Sequence, residues 1–306
     1  MKRGFLTVAT GEYFHYLAIN MRNSYHYSQS NKYPLAVITD PNGAAILKNY
    51  FDDVVVIQEN NAGYLNKLRV QELSPYDETI FIDADTLIIR DISDWWEAFG
   101  DSGYDVAVWG WNCEITSPRC GKLISQKAAE KYGITRYIGF NGGVYYFKKT
   151  EKAARIYARA VELLDTYLED EQHLFNGKMG DEPVMAVALL ENGVYGVEDP
   201  KKERMFCTPG MRDLKINLLT GKCTFIKYDY RVNPAVMHWG TGDTKKPVYR
   251  REVQTLNLYQ RGYPRIVCYC VAWIVYAYRT VAAGLRSFFN KIRNRIAYDR
   301  VKKDSL

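Results

Sequence analysis

The sequence lacks the cysteine spacing of a zinc site. Its six cysteines (Cys113, Cys120, Cys207, Cys223, Cys268, Cys270) are scattered, and no CxxC pair occurs. Reduced thiols in a cytosolic setting are the expectation. Internal repeats and low-complexity segments are also missing. No leader is expected, because Met1-Lys2-Arg3-Gly4 runs directly into a strand-like segment. The body lacks an excess of positive charge as well. The formal net charge is +6, but residues 263–306 carry nine basic and two acidic side chains. The tail therefore holds +7 and residues 1–262 hold −1. No nucleic-acid partner is expected for such a body.

The 306 residues are 47% hydrophobic and 25% charged, enough to bury a sizeable core in one large domain or two small ones. Residues 5–10 read as a strand ending at Gly11, and 13–27 as a helix. Residues 35–40 form a second apolar strand stopped by Pro41-Asn42-Gly43. A short helix over 44–50, a strand over 53–57 and a helix over 66–73 follow. Residues 79–83, 106–109 and 140–147 read as strands, 151–168 and 182–191 as helices, and 235–239 as a last short strand. Asp181 is the expected N-cap of the helix over 182–191. Strands alternating with helices predict an α/β fold with a mainly parallel sheet.

Phe81-Ile82-Asp83-Ala84-Asp85-Thr86 is the most informative stretch. An apolar strand delivers two carboxylates, one residue apart, to a sheet edge. Burying two like charges without a partner is costly. A hard divalent cation, Mn2+ or Mg2+, is the natural partner for oxygen ligands. A cation held this way can grip a diphosphate and help break a sugar–phosphate bond.

In their order along residues 3–250, these motifs resemble the GT-A-fold glycosyltransferases, and most of all family 8, which includes glycogenin and the bacterial lipopolysaccharide galactosyltransferases. The resemblance implies a Rossmann-like mixed, mainly parallel sheet flanked by helices. It implies transfer of a sugar from a nucleotide diphosphate, a UDP-sugar, with retention of configuration. Asp83 and Asp85 match the family's DxD metal ligands. His238, in His238-Trp239-Gly240-Thr241-Gly242-Asp243-Thr244-Lys245-Lys246-Pro247, matches its third ligand; the alternative is a core histidine beside a surface turn. Lys246, with Lys245 as the alternative, would neutralise the departing diphosphate. In this chain the loop is longer than the family's, and Val248 stands where the family has tryptophan. Lys67, or Arg69, takes the place of a donor-contacting lysine. Thr10 and Tyr13 resemble the nucleotide entry loop. Asn141 and Gly143 resemble the segment lining the donor sugar. Asp181-Glu182 resembles an Asp-Gln pair that reaches the reacting carbon, with Glu182 in place of glutamine; a helix cap followed by a first-turn acid accounts for the same residues.

Two other functions compete. A phosphohydrolase of the haloacid dehalogenase type also uses a carboxylate pair after a strand. It wants Thr or Val two residues past the second Asp, where this chain has Leu87. A non-catalytic, membrane-associated sugar-binding module is the other. From Tyr263 the composition turns basic, aromatic and amphipathic. The expected division is therefore a catalytic domain over 1–262 and a membrane-associating segment over 263–306. Residues 266–285 are long enough to span a bilayer, but Arg279 favours lying on its surface. The expected partners are a nucleotide-sugar donor, a glycan or lipid-linked acceptor as in lipopolysaccharide or capsule assembly, and the cytoplasmic face of a membrane.

Overall fold

A computed structural model describes residues 1–58, 63–117, 124–170, 174–175 and 178–304. The chain divides into two compact units, Met1–Gly240 and Thr241–Leu306. Residue 262, where the sequence reading set its division, lies inside the second unit.

The first nine strands are β1 (Arg3–Ala9), β2 (Leu35–Thr39), β3 (Asp53–Val56), β4 (Glu78–Ile82), β5 (Thr86–Ile88), β6 (Val106–Ala107), β7 (Gly110–Glu114), β8 (Arg136–Phe140) and β9 (Val144–Lys148). Six of them form the central sheet in the order β3-β2-β1-β4-β9-β6. Strands β3, β2, β1 and β4 are parallel; β9 runs antiparallel to β4, and β6 pairs antiparallel with β9 and so runs with the other four. Every residue of β2 and β4 is buried, which fits strands covered on both faces. Phe5 of β1 faces one side, packing on Tyr25 and Trp96 with ring centroids 5.1 and 5.2 Å away. Leu6 faces the other, in a core with Phe81, Tyr145, Phe147 and Tyr157. There the helices Glu151–Asp170 and Asp181–Glu191 cover the sheet. Each fully buried Phe or Leu contributes roughly 1.5–3 kcal/mol to this packing.

Strand β4 carries an acid near each end. At the N-terminal edge, Glu78 is buried and accepts from both Arg3 and the Tyr146 hydroxyl, a closed structural pair. At the C-terminal edge the strand runs out into Asp83-Ala84-Asp85 and turns directly into β5. That short strand leaves the central sheet and pairs antiparallel with Val236–His238, which pairs in turn with Met205–Cys207.

Several local expectations are corrected. The strand read over 140–147 is two strands, β8 and β9. The break occurs because the Asn141 Oδ1 accepts the Gly143 N–H at 3.1 Å, closing an Asx turn. The helix expected at 44–50 spans Pro41–Leu47, because Asp40 caps it and Pro41 fits its first turn. Residues Gly63–Arg69 are a 3-10 helix, with α-helix only over Val70–Leu73. Not every thiol is reduced, since Cys113 is disulfide-bonded. Cys207, Cys223, Cys268 and Cys270 are free, and Cys120 lies outside the described residues.

In the second unit, Pro247–Gln260 and Arg265–Asp304 are helices in contact. The Arg251 guanidinium lies over the Trp273 ring, 4.6 Å from its centroid. Ile266, Ile274, Tyr278, Val281 and Leu285 are each more than half exposed. Residues 265–282 are long and apolar enough to cross a membrane.

Asp40 joins three pieces of the first unit. Its carboxylate accepts from Gly43 N–H at 2.8 Å and Gly11 N–H at 2.6 Å, and meets His15 Nε2 at 3.0 Å. Partial burial pushes this carboxyl up, but those donors outweigh it, so it titrates below the ordinary range. The stabilisation is thus present above about pH 4, the unfolded value, and is lost as pH falls through the lower folded value. Asp40→Ala is expected to cost about 1 kcal/mol in urea unfolding at pH 7. The difference from wild type should shrink steadily in the same measurement toward pH 3.

Candidate functional site

The turn after β4 is pinned from two sides. Asp83 N–H donates to the Gly143 carbonyl at 2.9 Å, and Trp239 N–H donates to the Asp85 carbonyl at 3.0 Å. The Thr86 hydroxyl donates back to the Asp83 carbonyl at 2.8 Å. Both carboxylates are therefore held by backbone at their own residues. The pairing of β5 with Val236–His238 sets His238 opposite Thr86, so register alone brings the imidazole to the DxD turn.

Asp83, Asp85 and His238 present ligand atoms within 4.8 Å of one another. His238 Nε2 lies 3.1 Å from Asp85 Oδ1 and 3.6 Å from Asp83 Oδ2. Its Nδ1 lies 2.6 Å from the Asn141 Oδ1. That oxygen also accepts from Gly143 N–H, so Nδ1 carries the hydrogen and Nε2 faces the acids. Ligands about 2.1 Å from one ion stand at most about 4.2 Å apart. A contraction of about half an ångström would close this set on Mn2+ or Mg2+, and two carboxylates with one imidazole suit either ion. An outer partner that fixes the imidazole, here Asn141, is the usual companion of a ligating histidine.

The electrostatics also favour a cation. Lys67 Nζ sits 2.7 Å from Asp83 Oδ2 and 3.9 Å from Asp181 Oδ2. Burial pushes its ammonium down, but Asp181 and Asp83 outweigh that and hold it charged. Arg69 is paired instead with Glu72 at 3.6 Å. The turn of the 3-10 helix thus sets Lys67, and not Arg69, beside Asp83. Burial and the charge of Asp85 raise the Asp83 carboxyl. Asp85 is held below its ordinary value, because His238 and Lys67 outweigh its burial. Burial lowers His238, and Asp85 and Asp83 overturn this to raise it. With Asp181 and Glu182 included, four carboxylates share one lysine.

Asp181 does not cap its helix. Gly180 occupies that position with no side-chain cap, and Asp181 is the first helical residue. Its Oδ2 instead accepts from the Tyr145 hydroxyl at 3.0 Å. Glu182 accepts from Gly142 N–H at 2.6 Å, and burial together with the charge of Asp181 raises its carboxyl. The glycines make this closeness possible. A Cβ at Gly142 would stand 2.7 Å from Asp181 Oδ2, and one at Gly143 would stand 2.8 Å from His238 Nδ1. Thr10 and Tyr13 flank Gly11 at the end of β1, on the same C-terminal sheet edge as Asp83. Lys246 belongs to the second unit, where its Nζ meets Asp243 at 2.8 Å.

Sequence reading missed Tyr145 and the Trp239 N–H. The first leaves one signal, a polar-tipped aromatic at alternate spacing from Gly143. The second is a backbone group and leaves none.

No protein-family model and no curated protein matches this sequence. Solved structures do. The galactosyltransferase LgtC, in complex with donor and acceptor sugar analogs, aligns over 78% of this chain and 87% of its own, with TM-score 0.50 and 15% identity. Mouse xyloside xylosyltransferase 1 aligns over 79% of this chain and 99% of its own, with TM-score 0.48 and 14% identity. The glycosyltransferase GlyE of Streptococcus pneumoniae aligns over 66% of this chain but only 46% of its own, with TM-score 0.45 and 14% identity. The first of these carries the fold: the chain has the GT-A architecture.

Two outcomes test the site. Gly143→Ala should leave the protein folded and weaken Mn2+ binding at least tenfold by electron paramagnetic resonance, through displacement of His238. Lys67→Met removes the buried ammonium beside Asp83, and should cost about 3 kcal/mol in metal-free thermal unfolding. Added Mn2+ should raise the melting temperature of that variant more than that of wild type.

Proposed function

We propose that this protein is a metal-dependent glycosyltransferase. It moves a sugar from a nucleotide diphosphate, a UDP-sugar, to a glycan or lipid-linked acceptor, with retention. The observation that carries this reading is Asp83, Asp85 and His238 converging at the C-terminal edge of a GT-A sheet. Phosphate-bearing ligands favour that edge of an open α/β sheet.

Asp83, Asp85 and His238 would hold Mn2+ or Mg2+. When bound, the ion acts as a Lewis acid and neutralises charge on the departing diphosphate. The chain's own residues do the rest. Asn141 fixes the His238 ring through Nδ1 and is a positioning residue in this respect. Lys67 adds fixed positive charge beside Asp83. Thr10 and Tyr13 take the nucleoside end, and Gly143 lets backbone approach the donor. Asp181, oriented by Tyr145, faces the sugar and stabilises positive charge developing at its anomeric carbon. A departing phosphate oxygen takes the acceptor's proton, so no dedicated base is needed.

The exposed apolar stripe and the basic residues of the long C-terminal helix would hold the enzyme on an anionic membrane surface. That location suits a lipid-linked acceptor in lipopolysaccharide or capsule assembly on the cytoplasmic side.

A panel of UDP-sugars, with and without Mn2+, tests the reading. Metal-dependent UDP release by wild type, reduced at least a hundredfold in Asp85→Ala, is expected. If neither protein binds any nucleotide sugar, the reading fails, and the carboxylate pair belongs to a structural or phosphohydrolase site.

A further inference from the structure

Trp111 stands apart from the other tryptophans of the first unit. Trp95, Trp96, Trp109 and Trp239 are all buried, whereas Trp111 is 44% exposed. It lies on β7 directly opposite Gly139 of β8. A Cβ built on Gly139 would stand 2.1 Å from both Cε2 and Cζ2 of the indole. The ring therefore rests against bare backbone, an arrangement only glycine permits. The indole is backed by the Gly139 backbone, and nearly half of the residue is left to solvent.

The platform is rigid. Asn112, the next residue, donates from Nδ2 to the Gly196 carbonyl and accepts the Gly196 N–H at Oδ1, each at 2.9 Å. Gly110 N–H, on the other side, donates to the Val197 carbonyl at 3.0 Å. Gly196 packs so tightly on Gly110 that an added Cβ would stand 2.9 Å from its backbone carbon. The strand carrying Trp111 is thus fastened on both sides of the indole, so little ordering cost remains when something stacks on it.

Its position ties it to the site. Asn141 comes two residues after Gly139, just past the end of β8, so the two backbones are at most about 7 Å apart. Asn141 touches His238. A donor sugar held through its diphosphate would occupy the Asn141 end, and the next saccharide outward would meet Trp111. A flat apolar ring with an N–H at its edge matches a pyranose, whose C–H groups share one face while hydroxyls line its rim.

We propose that Trp111 is the stacking platform for the acceptor saccharide, resting on the reading of the site as a glycosyltransferase. The acceptor is then a pyranose-bearing glycan, free or lipid-linked, whose terminal ring lies across the indole.

The test is binding of methyl glycosides of galactose, glucose and N-acetylglucosamine, followed by saturation-transfer nuclear magnetic resonance with UDP and Mn2+ present. Wild type should bind at least one glycoside. Trp111→Ala should weaken it at least tenfold, and Trp111→Phe should retain most of it. Gly139→Val, which pushes the ring off its backing, should act like Trp111→Ala. UDP–Mn2+ affinity serves as the control for folding. If wild type binds UDP–Mn2+ but no glycoside, or if Trp111→Ala binds as well as wild type, the platform is overturned while the donor reading stands. If a UDP-sugar displaces the glycoside competitively, Trp111 serves the donor sugar and the acceptor assignment fails. If UDP–Mn2+ does not bind, the donor reading fails, and the glycoside comparison still decides the platform. An acceptor that is free or membrane-bound is distinguished by repeating the titration with a glycolipid in vesicles.

Discussion

The site depends on one short turn being held at both ends. Asp83 is tied to Gly143 of the turn before β9, and Asp85 to Trp239 of the segment after Val236–His238. The first bond extends the edge of the central sheet and the second that of the small three-stranded sheet, so each sheet fixes one end of the turn that carries two acids of like charge. Without them the acids would separate, since their repulsion rewards any motion apart. With them, the repulsion is offset by Lys67 and by a protonated imidazole, or by a cation placed between the same atoms.

The rest of the first unit can be seen as support for that turn. Fully buried parallel strands make β4 a rigid stem. Glu78, satisfied by Arg3 and Tyr146, anchors its far end. The glycines at 142 and 143 remove the atoms that would hold Asp181 and His238 away. Tyr145 emerges two residues later and reaches the Asp181 carboxylate. One short segment, 141–145, thereby sets the imidazole, the second carboxylate and a backbone clamp together.

Asp83, Asp85 and Asp181 lie buried at the sheet edge, whereas residues 263–306 carry all of the net positive charge of the sequence. Under the proposed function, a cation held by these acids, with Lys67 beside them, would let a site of four carboxylates receive a diphosphate that is itself negative.

The alternation of apolar runs and helices was sufficient to determine the α/β class and the emergence of Asp83-Ala84-Asp85 from a buried strand. This holds because strand burial and period are local properties that composition records. Asp83, Asp85 and His238 were legible for the same reason, as unusual residue types at strand ends. Other features were decided only by tertiary structure. Whether Lys67 or Arg69 enters the site depends on the phase of a 3-10 helix. Whether Asp181 caps a helix or faces the site depends on a tyrosine 36 residues away. The stretch from 111 to 139 carries no motif, yet its two ends pair and lay Trp111 over Gly139. A pairing of that kind is a relation between distant residues, and no local pattern encodes it. The sequence alone determined which groups are available; long-range register determined which of them meet.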